Sequence, residues 1–164
     1  MILKHAIVGA GFGLDVHYPC FKENKNFDVV ALCNSGSQNR IDNSTIPVFS
    51  DWRKMLHNKE IQSLSIVTPP SFHKEIFNMA ASKGINIYCE KPFGLNYNDA
   101  IDMKNTAIKN RIICTIGFQY RYQSGMSEIR DILSNKEIGD IKSIDIKWLT
   151  SGRSDSEKPW SWQH

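Results

Sequence analysis

The stretch that decides the fold is ILKHAIVGAGFGLDVHYP, residues 2–19. Its apolar run, residues 2–8, breaks at Gly9, Gly11 and Gly13, and a helical segment starts directly afterwards. A tight turn from a strand into a helix needs glycine. Further short apolar runs follow at residues 27–33, 64–67, 85–89 and 112–118, with a weaker one at 47–49. Their near-continuous apolar character, without alternation, suits strands covered on both faces. Between them lie amphipathic segments. In residues 72–81, Phe72, Ile76, Phe77 and Ala80 share one face, Ser71 stands as N-cap and Gly84 lies just past the end. In residues 97–109, Asn96 can cap, and Ala100, Ile101, Met103, Ala107 and Ile108 make the apolar stripe. Strand–helix alternation at this spacing predicts βαβ units and an α/β, doubly wound parallel sheet of the Rossmann kind.

The whole chain sets bounds on what the sheet can serve. Its 164 residues are about one domain long, and 41% hydrophobic with 23% charged residues is the composition of an ordinary globular protein. The net charge of +3 is mild and the basic residues are interleaved with acids, so a nucleic-acid partner gains no support. No run approaches the roughly 18 apolar residues needed to span a bilayer. The N-terminus lacks the features of a signal peptide, so the expected location is the cytoplasm. Cys20, Cys33, Cys89 and Cys114 form no CxxC pair. They read as free thiols, most of them buried, and no metal site is expected.

After residue 118 the pattern changes. A helical segment at 127–133 precedes KSIDIKW, in which Ile144, Ile146 and Trp148 alternate strictly with polar residues. That alternation predicts a strand with one wet face. The expected organisation is a dinucleotide-binding domain over residues 1–120 and the start of an incomplete second α/β domain over 121–164. A lone strand cannot bury such a face. The expectation is therefore a truncated chain, inactive by itself.

The glycine turn carries the first chemistry. A pyrophosphate reaches backbone N–H groups only where no side chain intervenes, and Gly9, Gly11 and Gly13 with Phe12 between them offer such a stretch at the start of a βαβ unit. The third position of the standard GxGxxG form is Leu14, so a purely structural glycine turn is the competing reading. At the end of the second strand an NAD site commonly carries an acid for the ribose. Here stand Asn34, Ser35, Ser37 and Arg40. With no carboxylate to repel a 2′-phosphate, NADP is slightly favoured over NAD, although a solvated polar turn would tolerate either.

Five motifs in order carry a resemblance: VGAGFG with His17 and Pro19, IVTPPSFHKE, CEKPFG, GFQYRYQSGMSEIRDIL, and IGDIKSIDIKW. Together the chain resembles the N-terminal part of the Gfo/Idh/MocA (glucose–fructose oxidoreductase / inositol dehydrogenase / rhizopine catabolism) family. The resemblance implies an oxidoreductase that exchanges hydride between NAD(P) and a carbon of a sugar, polyol or nucleotide sugar. It also implies a homo-oligomer in the full-length form. Lys91 is then the catalytic residue, stabilising a developing alkoxide or relaying a proton. Glu90 sets the lysine's charge and position, and Pro92, whose preceding peptide is often cis in the family, ends the strand. A surface ion pair is the plain alternative for Glu90 and Lys91. Thr68 and Pro69 offer backbone contacts to the cofactor. His73 is either a cofactor contact or a structural histidine at a helix start. His17 reads as a packing residue. Gln119 faces cofactor or substrate, and Arg121 does so too or forms a salt bridge. The competing function is a dinucleotide-binding module without catalysis, a sensor or partner subunit.

Overall fold

The computed structural model describes residues 2–34, 46–147 and 149. The chain divides into two compact units, Met1–Phe118 and Gln119–His164. Among the described residues the first holds six parallel strands: β1 (Leu3–Val8), β2 (Phe27–Cys33), β3 (Val48–Phe49), β4 (Ser63–Ile66), β5 (Asn86–Cys89) and β6 (Cys114–Ile116). Their order across the sheet is β3-β2-β1-β4-β5-β6. Every neighbouring pair is parallel, which the helical crossovers α1 (Tyr18–Glu23), α2 (Trp52–Met55), α3 (His73–Ser82) and α4 (Tyr97–Asn110) make possible. The chain runs outward from β1 to β3 and then crosses back to start β4 on the other side of β1.

Alternation along each strand sends side chains to both faces. On one face Ala6, Val8, Leu64, Ile66, Ile87 and Cys89 meet Ile76, Phe77 and Ala80 of α3 and Met103 of α4. Phe77 is fully buried and Phe93 stands edge-on to its ring. On the other face a smaller cluster of Ile7, Val29 and Leu32 takes Leu14, Tyr18, Phe21 and Val67 against it. This second face also carries a polar inclusion. His5 of β1 lies opposite Ser63 of β4 in register, and its ring nitrogens meet Ser63 Oγ at 2.8 Å and Ser65 Oγ at 3.0 Å.

Several helix ends follow their expected chemistry. Asn96 Oδ1 accepts from the Asp99 N–H at 2.9 Å, so it caps α4, and Gly84 takes φ +73° past α3. Three details differ from the sequence reading. Ser71 does not cap: Pro70–Phe72 forms a 3₁₀ turn that runs directly into α3, whose N-cap residue is Phe72 with no side-chain cap bond. Phe72 consequently points outward, 49% exposed. Ile108 is 65% exposed, because the buried stripe of α4 is Met103 and Ala107, and the next residue turns about 100° away from it.

The second unit contains a 3₁₀ turn, Gln119–Tyr122, and α5 (Met126–Ser134). The strand expected at 143–148 is absent over residues 141–147, where Ile144 and Ile146 are exposed; Trp148 lies outside the described residues. A strand needs a ladder partner, and the described residues of this unit hold no other strand. The four cysteines are all free, with Cys33 and Cys89 buried and Cys20 exposed. Among the described residues no helix is long and apolar enough to cross a membrane.

The buried His5 gives stability a pH dependence. Burial first, and the neighbouring His17 second, hold its pKa at about 3 against an ordinary 6.5. The unfolded chain therefore takes a proton that the folded chain refuses, so stability is full above about pH 6.5 and falls as pH drops toward 3. Between pH 6.5 and pH 5 this one group withdraws about 2 kcal/mol. Thermal melts over that range will show the slope, and His5→Gln will flatten it whatever it does to the absolute melting temperature.

Candidate active site

Where the strand order reverses, between β1 and β4, loops leave in opposite directions and open a crevice outside the carboxyl ends of the strands. Three glycines shape the β1 side, each for its own reason. Gly9 donates its N–H to Cys33 O at 3.0 Å and takes φ +119°. A Cβ there would lie 2.2 Å from Val67 O, so neither conformation nor space allows a side chain. Gly11 faces open space, with nothing within 4 Å of a Cβ placed on it. Gly13 packs closely, since its Cβ would stand 3.2 Å from Ile7 Cγ2 and 3.5 Å from Val67 Cβ. Turn, approach and packing are thus divided among Gly9, Gly11 and Gly13. A π-helical turn, Gly13–His17, leads from them into α1. Leu14, which breaks the standard glycine pattern, packs into the smaller core. Phe12 is 45% exposed beside the turn.

Asn34 ends β2 at the same edge, buried, its backbone N–H on Phe49 O at 2.9 Å. Ser35 and Arg40 lie outside the described residues. On the β4 side come Thr68 and Pro69. Among the described residues the buried Thr68 Oγ1 has no hydrogen-bond partner, which is costly unless something else satisfies it. His73 is wholly buried, with Nε2 2.8 Å from Thr68 O and Nδ1 3.0 Å from Pro92 O, and so ties the loop after β4 to the loop after β5.

β5 ends in CEKPFG. Glu90 is 7% exposed, and its backbone N–H bonds Ile66 O at 2.9 Å. One carboxylate oxygen, Oε1, lies 3.1 Å from His17 Nε2, and the other accepts the Lys91 backbone N–H at 3.3 Å. Gly117 after β6 leaves room for this carboxylate, since a Cβ there would come within 2.6 Å of Oε1. Lys91 follows, half-buried at the edge of the sheet, and the Lys91–Pro92 peptide is cis. Gln119 belongs to the 3₁₀ turn of the second unit and is exposed there. Burial raises the pKa of the neighbouring Cys89 thiol strongly and that of Cys114 to about 11, which disfavours their thiolate forms. No group of three or more His, Cys, Asp or Glu able to hold a metal ion occurs among the described residues.

Two features escaped the sequence reading. His17 is more than a packing residue, because it bonds Glu90 directly. His5, Ser63 and Ser65 also passed as ordinary members of apolar strands. The available signal was their spacing: serines at i and i+2 of one strand share a face, and a histidine in the adjacent strand can meet both.

Residues 3–118 match the oxidoreductase family with an NAD-binding Rossmann fold, the Gfo/Idh/MocA family. The chain belongs to this family. An uncharacterized oxidoreductase of Synechocystis is 24% identical over 98% of this chain and 44% of its own length. Glucose-6-phosphate 3-dehydrogenase of Bacillus subtilis is 29% identical over 87% of this chain and 41% of its own. The solved structure of myo-inositol 2-dehydrogenase from Lactobacillus plantarum superposes with a TM-score of 0.78 at 26% identity, covering 86% of this chain and 43% of the other. The chain thus spans less than half the length of these relatives.

The glycine roles make distinct stability predictions. Gly9→Ala will destabilise the fold by about 1–3 kcal/mol from backbone strain alone, and more once Val67 must move. Gly11→Ala will stay within about 0.5 kcal/mol of the parent, as an exposed substitution in open space. Urea unfolding of the two variants beside the parent measures both.

Proposed function

We propose that this chain supplies the dinucleotide site and the catalytic lysine of an NAD(P)-dependent oxidoreductase acting on a sugar, polyol or nucleotide sugar. The supporting observation is one of placement. The side-chain-free glycine turn after β1 and the Glu90–Lys91 pair after β5 stand at the same carboxyl edge of one parallel sheet, with only β4 between their strands. Family membership and relatives that are dehydrogenases of such compounds favour the same reading.

The residues fit a dinucleotide. Gly11 opens onto free space where a phosphate must come close to backbone N–H groups, and the unpartnered Thr68 hydroxyl waits in the loop across the crevice. Gly9, Gly11, Phe12 and Gly13 would hold the pyrophosphate side, with Asn34, Ser35 and Arg40 on the ribose and Thr68 and Pro69 along the nicotinamide half. The cofactor's nicotinamide, when bound, supplies hydride donation or acceptance. Lys91 hydrogen-bonds the substrate oxygen that gains or loses a proton, and its ammonium stabilises negative charge building there. Glu90 is a fixed counter-charge at its side. With no acid at residues 34–40 to exclude a 2′-phosphate, NADPH binds at least as tightly as NADH.

Two measurements test this reading. Calorimetric titration will show NADH and NADPH binding to the parent, with NADPH no weaker, and Gly11→Val will lose both; a folded parent that binds neither refutes the site. In turnover by the protein that carries this chain, Lys91→Ala will lower kcat by about 10²–10⁴-fold with dinucleotide affinity little changed. Lys91→Arg will not restore it, because guanidinium differs in shape and does not readily release a proton. A loss below about threefold would make Lys91 structural.

A further inference from the structure

Five buried polar side chains on the α1 face of the sheet form one hydrogen-bonded line. It runs from Ser63 Oγ to His5 Nδ1 (2.8 Å), from His5 Nε2 to Ser65 Oγ (3.0 Å), from Ser65 Oγ to His17 Nδ1 (3.1 Å), and from His17 Nε2 to Glu90 Oε1 (3.1 Å). Aromatic rings wall it in: Phe21 stacks on His5 at 3.8 Å between centroids, Phe27 stands edge-on to His5, and Tyr88 and Phe12 stand edge-on to His17. All five members are buried.

The inventory of donors fixes the direction of the line. A carboxylate only accepts, so His17 must donate from Nε2. In a neutral ring Nδ1 is then an acceptor and takes the single Ser65 hydroxyl proton. Ser65 has no further proton to give and must accept from His5 Nε2–H. That leaves His5 Nδ1 as an acceptor for the Ser63 hydroxyl. Each donor is used once and all of them point toward Glu90. This direction holds with both rings neutral, and for His5 the burial that suppresses its protonation accords with it.

We propose that His17, backed by Ser65 and His5, is the positioning residue of the catalytic lysine: the line holds both imidazoles as Nε2–H tautomers and locks the Glu90 carboxylate beside Lys91. This rests on the functional reading above for the role of Lys91, while the tautomers stand independently of it. Oε1 is on His17, Oε2 on the Lys91 backbone N–H, and Gly117 packs against the carboxylate, so both oxygens of Glu90 are held. The charge next to the lysine is therefore set from as far away as the middle of β1.

Long-range ¹H–¹⁵N correlation spectra of the labelled chain at pH 7.5 read the tautomers directly. The expected spectrum shows a bare Nδ1 and a protonated Nε2 in both rings. In Ser65→Ala, His5 loses its acceptor and will switch to Nδ1–H, donating to Ser63 Oγ, while His17 remains Nε2–H on Glu90. A doubly protonated His17, an Nδ1–H tautomer of either ring in the parent, or an unmoved His5 in Ser65→Ala would overturn the line. For the positioning role, His17→Gln keeps a donor facing Glu90 and His17→Leu removes it. In turnover the Leu variant will lose about tenfold or more in kcat, the loss of one hydrogen bond to a charged group, with the KM for dinucleotide unchanged. The Gln variant will recover most of that loss. Equal kcat in the Leu and Gln variants would refute positioning. A parent without turnover or dinucleotide binding would count against the function, and the tautomers would still decide the line.

Discussion

A carboxylate removed from water must be satisfied on the spot, and Glu90 imposes that demand on the carboxyl edge of this sheet. An unpaired buried charge costs many kcal/mol, so a 7%-exposed glutamate persists only where donors are already fixed around it. The donors come from elements far apart in sequence. His17 reaches it from the turn after β1, the Lys91 N–H from its own loop, and β6 contributes by having glycine, Gly117, where any side chain would collide with Oε1. One carboxylate thereby pins the ends of β1, β5 and β6 to a common point, and the crevice inherits that rigidity.

The same demand explains a polar seam inside a parallel sheet, where both faces are normally apolar. His17 can serve Glu90 with a defined tautomer only if its other nitrogen is also satisfied. Ser65 does so, and His5 and Ser63 complete the line, so no member is left wanting. The cost is sensitivity: a half-satisfied buried network is worse than none. It is also why the fold loses stability in acid, since protonating the His5 ring puts a charge into a desolvated site beside His17.

The parts of this architecture that were legible in the sequence are those dictated by local pattern. All six strands lie within the apolar runs or one residue from them, since a doubly covered strand must be apolar and short. The caps at Asn96 and Gly84 were legible for the same reason, each being a one-residue requirement. Ser71 misled because the paired prolines before it wind a 3₁₀ turn that consumes the capping position. The 141–147 segment misled because alternation describes what a strand would bury, and only a neighbour can complete it. In the candidate site, the glycine turn was legible from its composition and position, whereas Glu90–Lys91 stood out only through the family resemblance. The roles of His17, His5 and Ser65 were not legible, because they are defined by register between β1 and β4, and register is absent from a single sequence.

The glycine turn makes the complementary point about motifs. A fingerprint is shorthand for three physical requirements: a residue free to take positive φ, a place where a phosphate can approach backbone, and a close helix–strand contact. Here the packing role falls to Gly13, and Leu14, at the position the fingerprint reserves for glycine, fills the core instead. The π-helical turn from Gly13 to His17 follows at that point, and it delivers His17 to Glu90. The departure from the motif and the buried line to the lysine therefore meet in one turn of backbone. The glycines at its start leave space for a ligand, and the histidine at its end fixes the charge beside the residue that would act on it.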